Sequence, residues 1–338
     1  MTTTLPIRLP HDGETAGSIH AQGLRTSTTS LRGEGSAHAK AILFGEHAVV
    51  YGAPAITIPI HELEAKVRVE SAPSGVRIES ELFSGDAAVA PANLLPVITA
   101  INAALAHVKA PNAALRVQIL SAIPHSRGLG SSAAVAAAVA RAISNWAGAR
   151  LETAALYDIV QQAERVAHGN PSGLDSRAVT AEGTIRFDFG AVSPLHIGAP
   201  LNFVLADTGI AGSTAEAVGG VRSRRDLDPA RMDSLIARLA EIAEGSVADL
   251  ANGDRPAIGA RMQEAHELLN QVGVSSSALN ALVDTAHSAG ALGAKLTGGG
   301  LGGCIIALAQ SAEHAEQLAV ALRAGGAPRS WTAMVPVA

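Results

Sequence analysis

A single cysteine, Cys304, occurs in the 338 residues. One thiol cannot close an internal disulfide, and such a chain suits a reducing compartment; the expected location is cytoplasmic. Lysine is nearly as scarce. Lys40, Lys66, Lys109 and Lys295 are its only positions, and arginine fills every other basic one. A lysine kept in so arginine-rich a chain invites a reason, and two of the four lie in glycine-bearing motifs. An excess of positive charge is also missing: the net charge of −5 leaves no basic footprint for nucleic acid. Long apolar runs are absent near the most helix-prone stretch, where Ala133 to Ala140 stops at Arg141, far short of the roughly 20 residues that span a bilayer. Residues 1–35 have no apolar core of the kind a signal peptide needs. Neither nucleic acid nor membrane is therefore an expected partner. Walker A spacing, His-Glu-x-x-His and Cys/His zinc spacing do not occur, and no glycine cluster fits the dinucleotide fingerprint.

What is present is a chain long enough for a large core, with 48% apolar residues, which excludes a disordered protein and suggests two domains. Residues 1–35, rich in Thr, Ser, Gly and His, are expected to form a flexible tail. Ordered structure is expected from Ser36. Ile56 to Ile60, Ala65 to Glu70 and Leu115 to Leu120 read as strands, and Asn93 to Val108 as a helix with its apolar residues on one face. Thr153 to His168 repeats that helical spacing. After the polar stretch Gly190 to Pro200, four helical patterns follow: Thr214 to Arg225, Ala230 to Asn252, Arg255 to Val272 and Ser276 to Ser288. A boundary in the polar stretch divides the chain into residues 36–195 and 196–338. Strands and helices mix without strict alternation, so the class is α+β and not a doubly wound sheet.

The stretch Ile123 to Ala134 organises the rest. A half-buried strand leads into it, and an Ala-rich helix leaves it, through Gly128, Leu129, Gly130, Ser131 and Ser132. A strand that turns into a helix through glycines leaves the first helical N–H groups unpaired, partly positive and attractive to phosphate. The plainer possibility is a glycine turn with a serine N-cap. A second cluster, Gly298 to Gly303, holds five glycines in six positions, a run that lets backbone approach something closely and could form the opposite wall of one cleft. Glu164 ends an apolar helix and Asp175 follows a Pro/Gly turn. Spacing alone leaves each open between a solvated end or cap and a working carboxylate. Chemistry at phosphate would use two: one to hold Mg²⁺ beside a serine hydroxyl, one to take a proton from an attacking hydroxyl. His47, beside Glu46 in apolar sequence, is the one histidine of twelve that stands out.

Three of these stretches, in order, resemble the motifs of the GHMP kinase superfamily: Lys40 to Gly52, Pro124 to Ala134, and Lys295 to Cys304. Gly45 to Gly52 followed by Pro54-Ala55, with the element Pro171-Ser172-Gly173-Leu174-Asp175, is most similar to the mevalonate kinases within it. The resemblance implies a two-domain fold with a ribosomal-protein-S5-domain-2-like N-terminal part, a ferredoxin-like C-terminal α/β sandwich and an active site in the cleft between them. It implies an ATP- and Mg²⁺-dependent transfer of phosphate to the C5 hydroxyl of mevalonate, and a homodimer. Asp175 would be the base and Lys40 would sit between it and the hydroxyl. Ser132 and Glu164 would hold Mg²⁺. Pro124, Arg127, Gly128, Leu129, Gly130, Ser131, Ser132 and Ala133 would form the nucleotide site. Glu46, His47, Tyr51, Ser172, Thr214, Gly299 and Gly300 would face mevalonate. The sequence departs from the pattern at Arg127, Gly299, Leu301 and Ser176. A kinase of a related alcohol or acid (phosphomevalonate, homoserine, a sugar) and a non-catalytic ligand sensor on the same fold stand as alternatives.

Overall fold

The structure, a computed structural model, describes residues 31–169 and 171–338; residues 1–30 of the expected tail lie outside the described residues. Strand β1 (Arg32–Phe44) begins ahead of Ser36, so residues 32–35 belong to the fold and not to the tail. The reason is close packing on a helix: a Cβ at Gly35 would lie 2.4 Å from the Ala138 carbonyl, and one at Gly33 would lie 2.1 Å from that of Ala142. The open edge of β1 is satisfied by side chains of that helix, Arg141 donating to the Ser36 carbonyl at 2.6 Å and Asn145 to that of Glu34 at 2.6 Å.

β1 pairs antiparallel with β2 (Ala55–Ser71). β2 is one strand where two were expected. Its pairing jumps from Glu64 opposite His38 to Ile60 opposite Ala39, so residues 61–63 form a bulge that interrupts the alternation without ending the strand. Next come β3 (Val76–Glu79), β4 (Ser84–Asp86), α1 (Leu95–His107), β5 (Leu115–Ser121), α2 (Ser131–Trp146), α3 (Thr153–His168), the short α4 (Leu174–Ala178), β6 (Ile185–Asp188) and β7 (Ala191–Pro194). They form a seven-stranded sheet in the order β4-β3-β5-β2-β6-β7, with β1 on β2; only β3 and β5 run parallel. β7 lies inside the polar stretch expected to be a boundary. All four of its residues are exposed, so it carries no apolar signal. Helices α1, α2 and α3 pack on one another, and α2 is buried almost all round. Alanine permits this: it has high helix propensity and no side chain to hold neighbours apart.

The second sheet, in the order β11-β8-β10-β9, is wholly antiparallel. It is built from β8 (Leu201–Asp207), β9 (Gly293–Thr297), β10 (Cys304–Ala309) and β11 (Arg329–Val335), with α5 (Thr214–Leu227), α6 (Pro229–Asn252), α7 (Arg255–Val272), α8 (Ser277–Ser288) and α9 (Ala312–Ala324). One continuous apolar core runs from Ala37 to Val335. Where the sheets meet, the Thr297 hydroxyl accepts from the Ile42 N–H and donates to the Ile42 carbonyl, both at 3.0 Å. That double bond fixes the end of β1 to the end of β9, and both glycine clusters lie beside it. Among the described residues, no helix is long and apolar enough to cross a membrane.

Candidate active site

The loop between β5 and α2 resolves the choice between serine cap and exposed helix terminus. Gly130, at φ +72°, caps α2, and no side chain bonds its first amides. Ser131 is buried and turns its hydroxyl to the Ile123 carbonyl at 3.4 Å. The first N–H groups of α2 are thus left without intrahelical partners and carry the helix's partial positive charge. The Ser131, Ser132 and Ala133 positions line a cavity of about 540 Å³. Leu129 is buried and Pro124 lies buried beneath the loop, outside the cavity lining.

The second glycine cluster does not face the first across a cleft. It lies against its back. A Cβ at Gly298 would lie 2.8 Å from Gly128 Cα, one at Gly128 2.8 Å from the Thr297 carbonyl, and one at Gly303 2.9 Å from the Arg127 carbonyl. Contact between the two backbones accounts for Gly128, Gly298 and Gly303, where no side chain has room between the loops, while Gly299, Gly300 and Gly302 abut Thr214, Val274 and Ala211. Arg127 contributes backbone to the cavity, but its guanidinium is engaged elsewhere. Nε lies 2.6 Å from Asp207 Oδ1, and Nη2 donates to the Gly209 carbonyl at 3.1 Å. Asp207 is fully buried at the end of β8 and also pairs with Arg329 at 2.8 Å. The arginine therefore ties the loop to the second sheet.

Lys40 projects from β1 under the loop. Its Nζ is 2.8 Å from Asp175 Oδ1 and donates to the Gly128 carbonyl at 3.0 Å, while its backbone N–H donates to the Leu129 carbonyl at 3.1 Å. Lys40 is 2% exposed, whereas the Asp175 side chain is 36% exposed and opens into the cavity. Glu164 reaches the same cavity from α3. It is buried, and its Oε1 has no hydrogen-bond partner; Oε2 lies 3.7 Å from His168 Nε2, one turn on. Burial, followed by the Asp175 charge, raises the Glu164 carboxyl to about 7, against the opposing pull of the Ser132 hydroxyl and Lys40. Thr214, exposed at the start of α5, lines the cavity from the other sheet's side. Leu82, Asn93, Pro96 and Val97 complete a wall that no local motif announced.

Six expected substrate-side residues are not brought to this cavity except through their neighbours. Glu46 is buried and its Oε1 accepts from Lys295 Nζ, which also donates to the Leu296 carbonyl at 2.8 Å. Burial pushes the Glu46 carboxyl up and the Lys295 ammonium down, and their attraction opposes both shifts. His47, at φ +61°, donates from Nε2 to the Gly299 carbonyl at 2.8 Å; burial lowers its pKa. Tyr51 lies under Arg225, whose Cζ is 5.0 Å from the ring centre. Ser172 accepts from the Leu174 N–H at 3.3 Å and starts α4. Gly299 and Gly300 pack on Thr214 and Val274. Lys295, Thr297 and Asp207 escaped the list of candidate site residues. The rarity of lysine pointed to the first; nothing local pointed to Asp207.

Bare backbone beside a cavity of about 540 Å³, with an acid in its lining and a buried ammonium group bonded to that acid, fits one class: the small-molecule phosphotransferases of the GHMP type. The family models described as GHMP kinases N terminal domain and GHMP kinases C terminal match residues 96–183 and 246–327. Mevalonate kinase of Pyrococcus furiosus is 37% identical over 315 residues, which cover 87% of this chain and 93% of that one. Mevalonate kinase of Thermococcus gammatolerans is 35% identical over 314 residues, with the same coverage. The crystal structure of L. major mevalonate kinase in complex with R-mevalonate is 30% identical, with a TM-score of 0.81, covering 91% of this chain and 97% of that one. The chain belongs to the mevalonate kinase family of the GHMP kinases and has its two-part α+β fold.

Proposed function

We propose that this protein transfers the γ-phosphoryl group of ATP to the C5 hydroxyl of (R)-mevalonate, giving 5-phosphomevalonate. The observation that carries the proposal is the Lys40–Asp175 pair at the edge of the cavity that the uncapped end of α2 opens into. Family membership supplies the substrate: the relatives are named mevalonate kinases, and one is solved with R-mevalonate. Residues 36–195 would carry the nucleotide, and residues 196–338 would complete the substrate side through Thr214.

The chemistry follows from position. The α2 amides and the Gly128–Gly130 backbone receive the β- and γ-phosphates, whose charge the helix terminus favours. Asp175 accepts or orients the proton of the attacking hydroxyl. Lys40 stabilises the negative charge that gathers on that oxygen, inside a site where burial strengthens such attraction. Phosphoryl transfer asks for little more than positioning and charge neutralisation. The donor set fits Mg²⁺: Glu164 offers a buried oxygen without a partner, and Ser132 a hydroxyl beside it, the hard oxygen ligands that this ion prefers. Bound there, Mg²⁺ would neutralise charge on the phosphate oxygens. Glu46 and His47 act at one remove, by fixing the end of β1 and the Gly299 loop.

ADP release measured with (R)-mevalonate, phosphomevalonate, homoserine and a sugar tests the assignment; turnover fastest with another member of the panel would refute it. A ligand sensor is disfavoured because Lys40, Glu164 and Asp175 are all present and the structure brings them to one place. The homodimer and the cytoplasmic location rest on the family and on the lone thiol, and light scattering of the purified protein tests the first.

A further inference from the structure

Asp175 sits on a short helix whose Leu174 and Ala178 are buried, while its own side chain is 36% exposed. α4 is five residues long, preceded by Gly169 and Gly173 at φ +77° and +87°. Beyond the Lys40 contact, the place of the acid depends on how this short element is fixed to α3.

The restraint is a buried amide. Gln161 lies on α3 one turn before Glu164 and is 7% exposed. Its Oε1 accepts from the Ser176 hydroxyl at 2.8 Å, and its Nε2 donates to the Pro171 carbonyl at 3.3 Å. Ser176 adjoins Asp175 and is 1% exposed. One side chain thus grips both ends of the turn that presents the acid. On the outer side, Arg177 lies over the Tyr157 ring, 3.7 Å from its centre, and adds a second contact between α3 and α4. We infer that Gln161 and Ser176 are positioning residues: together they fix α4 against α3 and so hold Asp175 at Lys40 and at a set separation from Glu164. This rests on the reading of Asp175 as the acid at the hydroxyl.

A clamp on the acid affects the chemical step and leaves the phosphate loop alone. Misplacing a reacting group by about 1 Å can cost on the order of 10² in rate. Gln161→Met with Ser176→Ala removes both partners of the buried side-chain bond and leaves apolar groups of similar shape, an exchange that is close to neutral for stability, and it also removes the Gln161 bond to the Pro171 carbonyl. The double variant is expected to lose roughly ten- to a hundredfold in kcat with mevalonate, with KM for ATP and the thermal midpoint near wild type. Gln161→Met alone, which loses both bonds, is expected to lose about as much as the pair, and Ser176→Ala alone no more than that, since the two share one bond. A double variant within twofold of wild-type kcat would overturn the inference. So would independent, additive losses, or parallel loss of kcat, ATP affinity and thermal stability, which would make the bond merely structural. Asp175→Ala is measured beside them. Full activity there would remove the underlying reading; an inactive Asp175→Ala with a fully active double variant would remove only the clamp.

Discussion

Two buried lysines, each paired with a carboxylate, lie at opposite ends of solvent access. Lys40 meets Asp175, whose side chain is 36% exposed and reaches the cavity. Lys295 meets Glu46, and both are sealed from solvent. The chemical groups are the same, yet an incoming molecule can reach the first pair through the cavity and cannot reach the second. The open pair is held by the Gly128 carbonyl beneath the phosphate loop. The closed pair is held by the Ile42 and Leu296 carbonyls where β1 and β9 meet. Access, more than residue type, divides chemistry from scaffolding here.

The sharpest way to break the comparison is Asp175→Ala. It is expected to lower kcat by roughly 10²–10⁴, the range for a lost general base, and to lower the thermal midpoint, because Lys40, 2% exposed, loses its counter-charge. Steady-state ADP release against mevalonate, with calorimetry, checks both halves. The mirror experiment is Lys295→Met, which leaves Glu46 buried without its counter-charge. Breaking such a pair on one side costs about 3–5 kcal/mol, read as a lowered urea midpoint, and Glu46→Gln added to it should restore most of the loss. If Lys295→Met melted like wild type but was inactive, the closed pair would belong to the chemistry after all.

The two regions should also answer pH differently. With Glu164 near 7 in the metal-free protein, a cation must displace a proton there. Apparent Mg²⁺ affinity should fall about tenfold per pH unit below 7 and level off above it; titration calorimetry that gave equal affinity at pH 6 and 8 would contradict this. Near the closed pair, His266 accepts from the Leu296 N–H at Nδ1 and donates from Nε2 to Asn280, and burial first of all lowers its pKa to about 4. The unfolded chain binds that proton near 6.5. The contribution of a neutral His266 is therefore complete above about 6.5 and lost as pH falls toward 4. Urea unfolding of wild type against His266→Gln over that window should show a pH slope that the variant lacks. The smallest effect is expected at Leu301, a left-handed residue at φ +60° in the second glycine cluster. Leu301→Gly relieves strain of about 1 kcal/mol but adds unfolded-state freedom and loses partial burial, so a change in stability within about 1 kcal/mol of zero, with unaltered kcat, is the expected result.

Much of the fold was legible because its helices are long and regular. The apolar spacing of Thr153 to His168 and of Arg255 to Val272 gave the ends of α3 and α7 as the structure has them. What escaped had no local signature. β7 is exposed at every position, and the bulge at residues 61–63 hides the continuity of β2. At the site, Gly128 and Gly130 announced the turn into α2, and the structure decided that its first amides carry no serine cap. The assignment of charged groups did not. Arg127 sits in the phosphate loop yet points to Asp207, eighty positions away in the chain, and Glu46 sits in the first motif yet points to Lys295.

By itself, then, the sequence determined most of the elements and the glycine turns, while the class of chemistry came from the resemblance of three ordered motifs to the GHMP kinases. Elements and turns depend on neighbours within a few residues, through backbone conformation and helix periodicity. Tertiary structure alone decided that the second glycine run backs the first, that one lysine–acid pair is open and the other closed, and that Gln161 reaches Ser176. Those facts depend on which distant groups share a small volume and how much water reaches them, and no local pattern of residues encodes either.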